Sequence, residues 1–166
     1  MLVLESEMTL TGVDAREVTD FMVDCDDARY RAWWPGTHRA FHLLETAPAG
    51  DHVGDVVWMD ERVGPRHLRM AAEVVELVPG ERVAWQLRPR RVRVPVKVAL
   101  TLHENGTGLR LRHTLTAGWA GWGKVLDPLW RLYFTPEFAI AMDMHARTEF
   151  SRLRDLLHAG GSERPA

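Results

Sequence analysis

Apolar and polar positions alternate from the first residues of the chain. Leu2, Leu4, Met8 and Leu10 are interleaved with Glu5, Glu7 and Thr9, the pattern of a half-buried strand. Gly12 breaks it. Asp14 with Glu17 three residues on resembles a capping box, and Val18, Phe21, Met22 and Cys25 then give a helix one apolar face. A second short helix is predicted through DDARYRAW, ending at Pro35-Gly36. From there to about residue 117 strand follows strand: HRAFHLLE, HVGDVVWMDERV, RHLRMAAEVVEL, ERVAWQLR, VRVPVKVALTLH and GLRLRHTLTAG. Turn residues separate them, and Asn105-Gly106 between two alternating runs is the strongest hairpin signal. WAGWGKVLDPLWRLYF reads as a loop and a short helix interrupted by Pro128. Thr135-Pro136-Glu137 then supplies the N-cap, N1 proline and acidic first turn of a long last helix. The order predicts an α+β fold: a curved antiparallel sheet of about seven strands wrapped around a long C-terminal helix, with two short helices after the first strand. One domain over residues 1–158 is expected, with a Gly/Ser/Pro-rich disordered tail at 159–166.

A sheet wrapped around a helix leaves a cavity between them, so polar side chains on the inward faces are the candidates for chemistry. At about 100° per residue, Phe138, Ala141, Met142, His145, Glu149, Leu153 and Leu156 fall within roughly 60° of one direction on the last helix. His145 and Glu149 are therefore polar members of a stripe meant for burial, one turn apart. In the strand around Trp58, the period of two puts Glu61 on a face with Val53, Val57, Met59 and Val63. In the last strand His113 shares a face with Leu109, Leu111 and Leu115. His38 and His42 share a face too, but both faces of that strand carry apolar residues, so either could point inward. Two carboxylates and two histidines converging without a cation would repel or protonate; around zinc or another divalent ion they form a plausible site. The alternative is a buried His145–Glu149 pair with Glu61 partnered by Arg62 or Arg69.

Composition narrows the partners. The chain has 166 residues, enough for one sizeable core. A formal charge of −2 and a pI near 6.4 give no electrostatic case for nucleic acid or anionic lipid. The run Arg88, Arg90, Arg91 and Arg93 reads as a solvated strand end. The single cysteine, Cys25, allows no intramolecular disulfide and fits a reducing cytoplasm. MLVLESEM lacks the features of a signal peptide, and no apolar run approaches a bilayer span, so no membrane partner is expected. Seven tryptophans suggest aromatic cavity walls. Trp34, Trp58 and Trp85 are candidates to stack on a flat aromatic substrate, while Trp119, Trp122, Trp130 and Tyr133 are placed to cover the cavity mouth or form a dimer contact.

The element order resembles the helix-grip fold of the START and plant-allergen-like superfamily, which includes polyketide cyclases and carriers of small hydrophobic ligands. More narrowly, YRAWWPGTH, GDVVWMDERVG and MHARTEFSRL resemble segments of the 2,4-diacetylphloroglucinol hydrolase family and its phloretin hydrolase relatives. Those are zinc enzymes that hydrolyse the carbon–carbon bond between an acyl group and a phenolic ring. The resemblance implies zinc ligands at His38, Glu61, His145 and Glu149, and catalytic roles for Tyr30, eight positions before His38, and for His113, as proton donor or orienter of the phenol. His42, Trp34, Trp58 and Trp85 are expected in the substrate pocket. Phe41 stands where that family carries a polar residue. The other expectation of the superfamily is a metal-free holder of a hydrophobic ligand, or a polyketide cyclase.

Overall fold

A computed structural model describes residues 1–89, 93–119 and 121–161. Strand β1 (Leu2–Leu10) leads to helices α1 (Ala15–Asp24) and α2 (Asp27–Trp33). Six strands follow: β2 (His38–Glu45), β3 (Val56–Val63), β4 (Arg66–Val78), β5 (Arg82–Arg88), β6 (Val96–Asn105) and β7 (Gly108–Ala117). A 3₁₀ turn over Gly121–Leu126, helix α3 (Pro128–Tyr133) and helix α4 (Pro136–Gly161) complete the chain. The seven strands form one antiparallel sheet in the order β1-β7-β6-β5-β4-β3-β2. Helix α4 packs against β1, β3 and α2. This is the expected helix-grip arrangement.

Local chemistry accounts for the boundaries. Asp14 caps α1 by accepting from the amides of Arg16 (2.7 Å) and Glu17 (3.2 Å), which satisfies donors the first turn leaves free. Asp26 does the same for α2 through the Arg29 amide at 2.8 Å. Thr135 Oγ1 accepts from the Phe138 amide at 3.3 Å at the start of α4. At the β6–β7 hairpin, Asn105 Oδ1 takes the Thr107 amide at 3.0 Å, the local bond that suits asparagine to turns. Gly64, with φ of +57°, lets the β3–β4 turn pass under α4: a Cβ there would stand 2.9 Å from the Ala141 Cβ.

Three boundaries differ from expectation, each for a local reason. Strand β3 starts at Val56, because residues 52–55 form a turn in which His52 takes a φ of +65°. Val53, expected on the inward face, is thereby left outside the strand and exposed. Strand β6 starts at Val96, after Pro95, whose missing N–H cannot join a ladder. Helix α4 continues through residues 159–161, and the rest of the expected tail, 162–166, lies outside the described residues. Arg90 and Arg91 lie outside them too. Arg88 and Arg93 are not simply solvated: both approach the buried carboxylate of Glu73.

The core divides in two. One cluster joins α1, α2 and the C-terminal half of α4 to the middle strands through residues such as Phe21, Trp33, Leu100, Phe150 and Leu153. The other sits at the start of α4 around Phe134, Phe138, Met142 and Leu115. Between sheet and helix runs a cavity of about 470 Å³.

Candidate metal centre

Four side chains from three parts of the chain meet at one end of this cavity. Helix α4 presents His145 and Glu149, β3 presents Glu61, and the first residue of β2 presents His38. One ligand atom from each lies within 4.8 Å of the others. His38 Nε2 is 3.3 Å from Glu149 Oε1 and 3.9 Å from Glu61 Oε2, while His145 Nε2 is 3.8 Å from Glu61 Oε2 and 3.7 Å from Glu149 Oε2. Donor atoms about 2.0–2.2 Å from a tetrahedral ion stand roughly 3.3–3.6 Å apart; one of these contacts has that spacing and the other three exceed it by a few tenths of an ångström, so small side-chain shifts would bring the four onto a shared cation. The spacing suits direct hydrogen bonding poorly. His38 Nδ1, His38 Nε2 and His145 Nε2 are buried without a hydrogen-bond partner. The contact of His38 with Glu149 is close but not aligned as a hydrogen bond, and the others are too long.

The backbone explains how His38 reaches this point. Its amide donates to the Trp34 carbonyl at 2.9 Å across the Pro35-Gly36 turn. It pairs with Glu61 across the ladder, but the next pair is Ala40 with Asp60, so a bulge at residue 39 shifts the alternation. His38 and Phe41 therefore both point inward. His42, an expected pocket residue, is turned to the outer surface, where its Nδ1 meets Asp27 Oδ1 at 3.1 Å. The expected period of two fails here because of that single extra residue.

An aromatic wall supports the cluster. The Tyr30 hydroxyl donates to Glu61 Oε2 at 2.6 Å, and its ring lies flat on His38, 4.0 Å away with 5° between planes. The proton expected to serve a substrate is thus engaged by Glu61. Arg62 and Arg69, the partners considered for Glu61 from sequence, take no part, since Arg69 bonds Asp60 at 3.1 Å and Arg62 faces solvent. Trp33 sets its edge against His38 at 4.7 Å and donates its indole N–H to the Glu149 carbonyl at 2.6 Å, tying α2 to α4. Trp33 is a site residue that the sequence expectations leave out, and its signal is helical spacing: Tyr30 and Trp33 are three apart on one short helix and so share a face.

The tryptophans divide. Trp85 lines the cavity as expected. Trp34 does not: it stacks on His145 at 4.8 Å, with the Arg152 guanidinium 5.3 Å from its ring centre, and closes the cluster from outside. Trp58 alternates with Val57 and Met59 and so lies off the cavity face. Trp130 and Tyr133 border the cavity, Trp119 stacks on Trp130 at 5.0 Å, and Trp122 stands in solvent.

The electrostatics follow from burial and pairing. Burial alone would raise Glu61, but His145, the Tyr30 hydroxyl and His38 outweigh it and hold the carboxyl below its usual range. Burial disfavours the charged form of His145, yet Glu61 and Glu149 raise it above an ordinary histidine. Tyr30 is pushed well up by burial and by the two carboxylates. His113 is lowered, chiefly by burial, with the carboxylates pulling weakly the other way. It lines the cavity beside Phe150, its ring centre 6.5 Å from that ring, and is not one of the four convergent donors.

A lowered histidine has a testable sign. Between its depressed value and the ordinary value near 6.5, the unfolded chain binds more protons than the folded one, so stability falls as pH drops through about 6.5. His113→Leu is expected to reduce this loss, read as the difference in urea midpoint between about pH 7.5 and 5.5. A variant that loses as much as the parent would show that His113 is not the group responsible.

No family model matches the chain, and no curated protein does. Solved structures do resemble it. A protein of Nitrosomonas europaea aligns over 97% of both chains at 14% identity and a TM-score of 0.62. The solution structure of the protein KanY aligns over 95% of this chain and 97% of its own, at 15% identity and 0.61. The major latex-like protein of Panax ginseng aligns over 87% and 96%, at 13% identity and 0.53. At such identities the likeness is one of fold, and it agrees with the helix-grip arrangement of sheet and long last helix described above. It lends no support to the narrower resemblance to acylphloroglucinol hydrolases, which rests on the chain's own residues.

Proposed function

We propose that this helix-grip protein holds a flat, largely apolar small molecule in its cavity and hydrolyses it with the help of a divalent metal ion, zinc foremost, bound by His38, Glu61, His145 and Glu149. The observation that carries this reading is the convergence of four donors, three of them buried and Glu149 partly so, with His38 Nδ1, His38 Nε2 and His145 Nε2 lacking hydrogen-bond partners. Buried polar groups are normally satisfied, and each orphan carries a desolvation cost. When bound, such an ion supplies Lewis acidity, drawing electron density from a ketone oxygen and making a nearby water acidic.

The substrate class we favour is an acylated phenol. Its hydrolysis takes one water, breaks the bond between the acyl carbon and the ring, and leaves a carboxylic acid and a ring carbon that has gained a proton. Tyr30 orients Glu61 and holds it in the ionised form a ligand needs. Trp85 and Phe41 offer aromatic surface for the ring. His113, kept neutral by burial, would first take a proton from the attacking water and then, as the imidazolium, return it to the ring carbon as the acyl–ring bond breaks. The dry lining of valines, leucines and methionines excludes competing water.

A metal-free holder of a polyketide-like molecule, or a cyclase of the same fold, is the second reading. The apolar lining favours it, as does the fold shared with the latex-like protein. Incubation with acylated phloroglucinols, with and without added zinc and with detection of the deacylated phenol, separates the two. Zinc-dependent product, reduced about 10²- to 10⁴-fold by His113→Gln as for loss of a general acid, is the expected result. Tight binding of the same compounds with no product above the protein-free rate would overturn it in favour of the holder.

A further inference from the structure

The segment that borders the cavity mouth has a second, outward face. Trp122 is 95% exposed and Val125 77%, three residues apart on the 3₁₀ turn and so on one side of it. Leu129 at 53% and Leu132 at 77% are likewise three apart on α3. Single exposed apolar residues are ordinary, but four within eleven positions on two short helices form a patch that needs an account. Lys124 and Arg131 are interleaved with them, both exposed, and neither makes an ion pair among the described residues. The segment's one acid, Asp127, is already engaged: it accepts from the Trp119 amide at 2.9 Å and pairs with the Met1 ammonium at 2.5 Å. The inner face of the same segment belongs to the cavity: Trp130, Tyr133 and Phe134 line it, and Tyr133 is also half-exposed.

We infer that residues 121–134 dock the protein on an anionic lipid surface, with the cavity mouth set against the bilayer so that an apolar ligand can pass between lipid and cavity. Apolar and aromatic side chains enter the headgroup boundary while lysine and arginine meet lipid phosphates. The net charge of −2 is an average over the molecule and does not describe this face. A second copy of the chain is the weaker occupant. Two-fold pairing would bring Lys124 and Arg131 toward the same cations of the other copy, and the segment's one acid, Asp127, is already taken by the Met1 ammonium. The inference concerns how ligand reaches the cavity and stands whether or not a metal is bound.

The test is flotation with vesicles of phosphatidylcholine and phosphatidylglycerol in a three-to-one ratio, against vesicles of phosphatidylcholine alone. The intact chain is expected to float with the anionic vesicles and to be released by high salt. Trp122→Ser with Leu132→Ser, and separately Lys124→Glu with Arg131→Glu, are expected to weaken binding about tenfold or more. These side chains are exposed, so the thermal midpoint should not move, and Leu43→Ser on β2, an exposed leucine elsewhere, should bind as the parent does. The inference is overturned by absence of flotation, by equal flotation with phosphatidylcholine alone, or by binding that the substitutions leave unchanged. A concentration-dependent dimer abolished by Trp122→Ser with Leu132→Ser would overturn it as well and assign the face to a second copy.

Discussion

Protein purified without a histidine tag is expected to retain one divalent ion per chain, and His145→Ala and Glu149→Ala are each expected to lose it. The four donors come from three parts of the chain, so removing one leaves three ligands and an adjacent hole. A loss of affinity beyond a hundredfold is expected, exceeding the 10- to 100-fold that outer partners of ligands are worth. Tyr30→Phe falls within that smaller range. It leaves every donor in place but removes the hydroxyl that donates to Glu61 Oε2 at 2.6 Å, so the carboxylate is less firmly oriented. A graded series therefore follows, with the parent tightest, Tyr30→Phe intermediate, and His145→Ala and Glu149→Ala near zero, all read by metal analysis and competition with a chelator. An apolar aromatic stack that happened to enclose polar groups would show no such order. Metal-free parent protein, or stoichiometric metal retained in His145→Ala, would remove the metal from the account.

Most of this centre was legible in the chain because three of its donors obey simple periods. Glu61 follows the two-residue alternation of β3, and His145 and Glu149 lie on the buried stripe of α4; His113, a cavity residue outside the centre, follows the alternation of β7. The buried stripe is wider than its period predicts: Ala146 and Phe150 are also buried, since α4 is gripped by α2 as well as by the sheet. His38 was the ambiguous donor, and the reason is physical. A bulge inserts one residue where β2 begins, and nothing in HRAFHLLE marks it, so alternation alone assigns His38 and His42 to one face. The same slip hid Phe41 as a cavity residue. The tryptophans were harder still, because a residue that caps a helix, as Trp34 does for α2, has no face to be read. The sequence offers the segment before α4 as cover for a cavity or as a dimer contact; its outward side chains become informative only with their exposure and the pairing of Asp127 in view.

His38→Leu is expected to stabilise the protein in the presence of a chelator and to destabilise it, relative to the parent, in excess zinc. The His38 side chain is fully buried, and neither ring nitrogen has a hydrogen-bond partner. Leaving a buried polar group unsatisfied costs about 1–3 kcal/mol. A leucine of similar volume removes that cost for two atoms. Against this stands the ring contact with Tyr30 and Trp33, worth about 0.5–1.5 kcal/mol per aromatic pair. Glu149 would keep His145 near it, at 3.7 Å, so the change does not strand a carboxylate. A net gain of about 1–2 kcal/mol in chelator is therefore expected from these opposing terms. In zinc the order reverses, because a ligand at a thousand times its dissociation constant adds about 4 kcal/mol to the form that binds it and the variant has lost a donor. If His38 and Glu149 instead form a working ion pair in a metal-free pocket, deleting the histidine exposes an uncompensated charge and costs about 3–5 kcal/mol. Urea midpoints of parent and variant, each measured with chelator and with zinc, give four numbers whose order decides the matter. A variant weaker than its parent under chelation would mean that these buried groups hold the fold together and were not set aside for an ion.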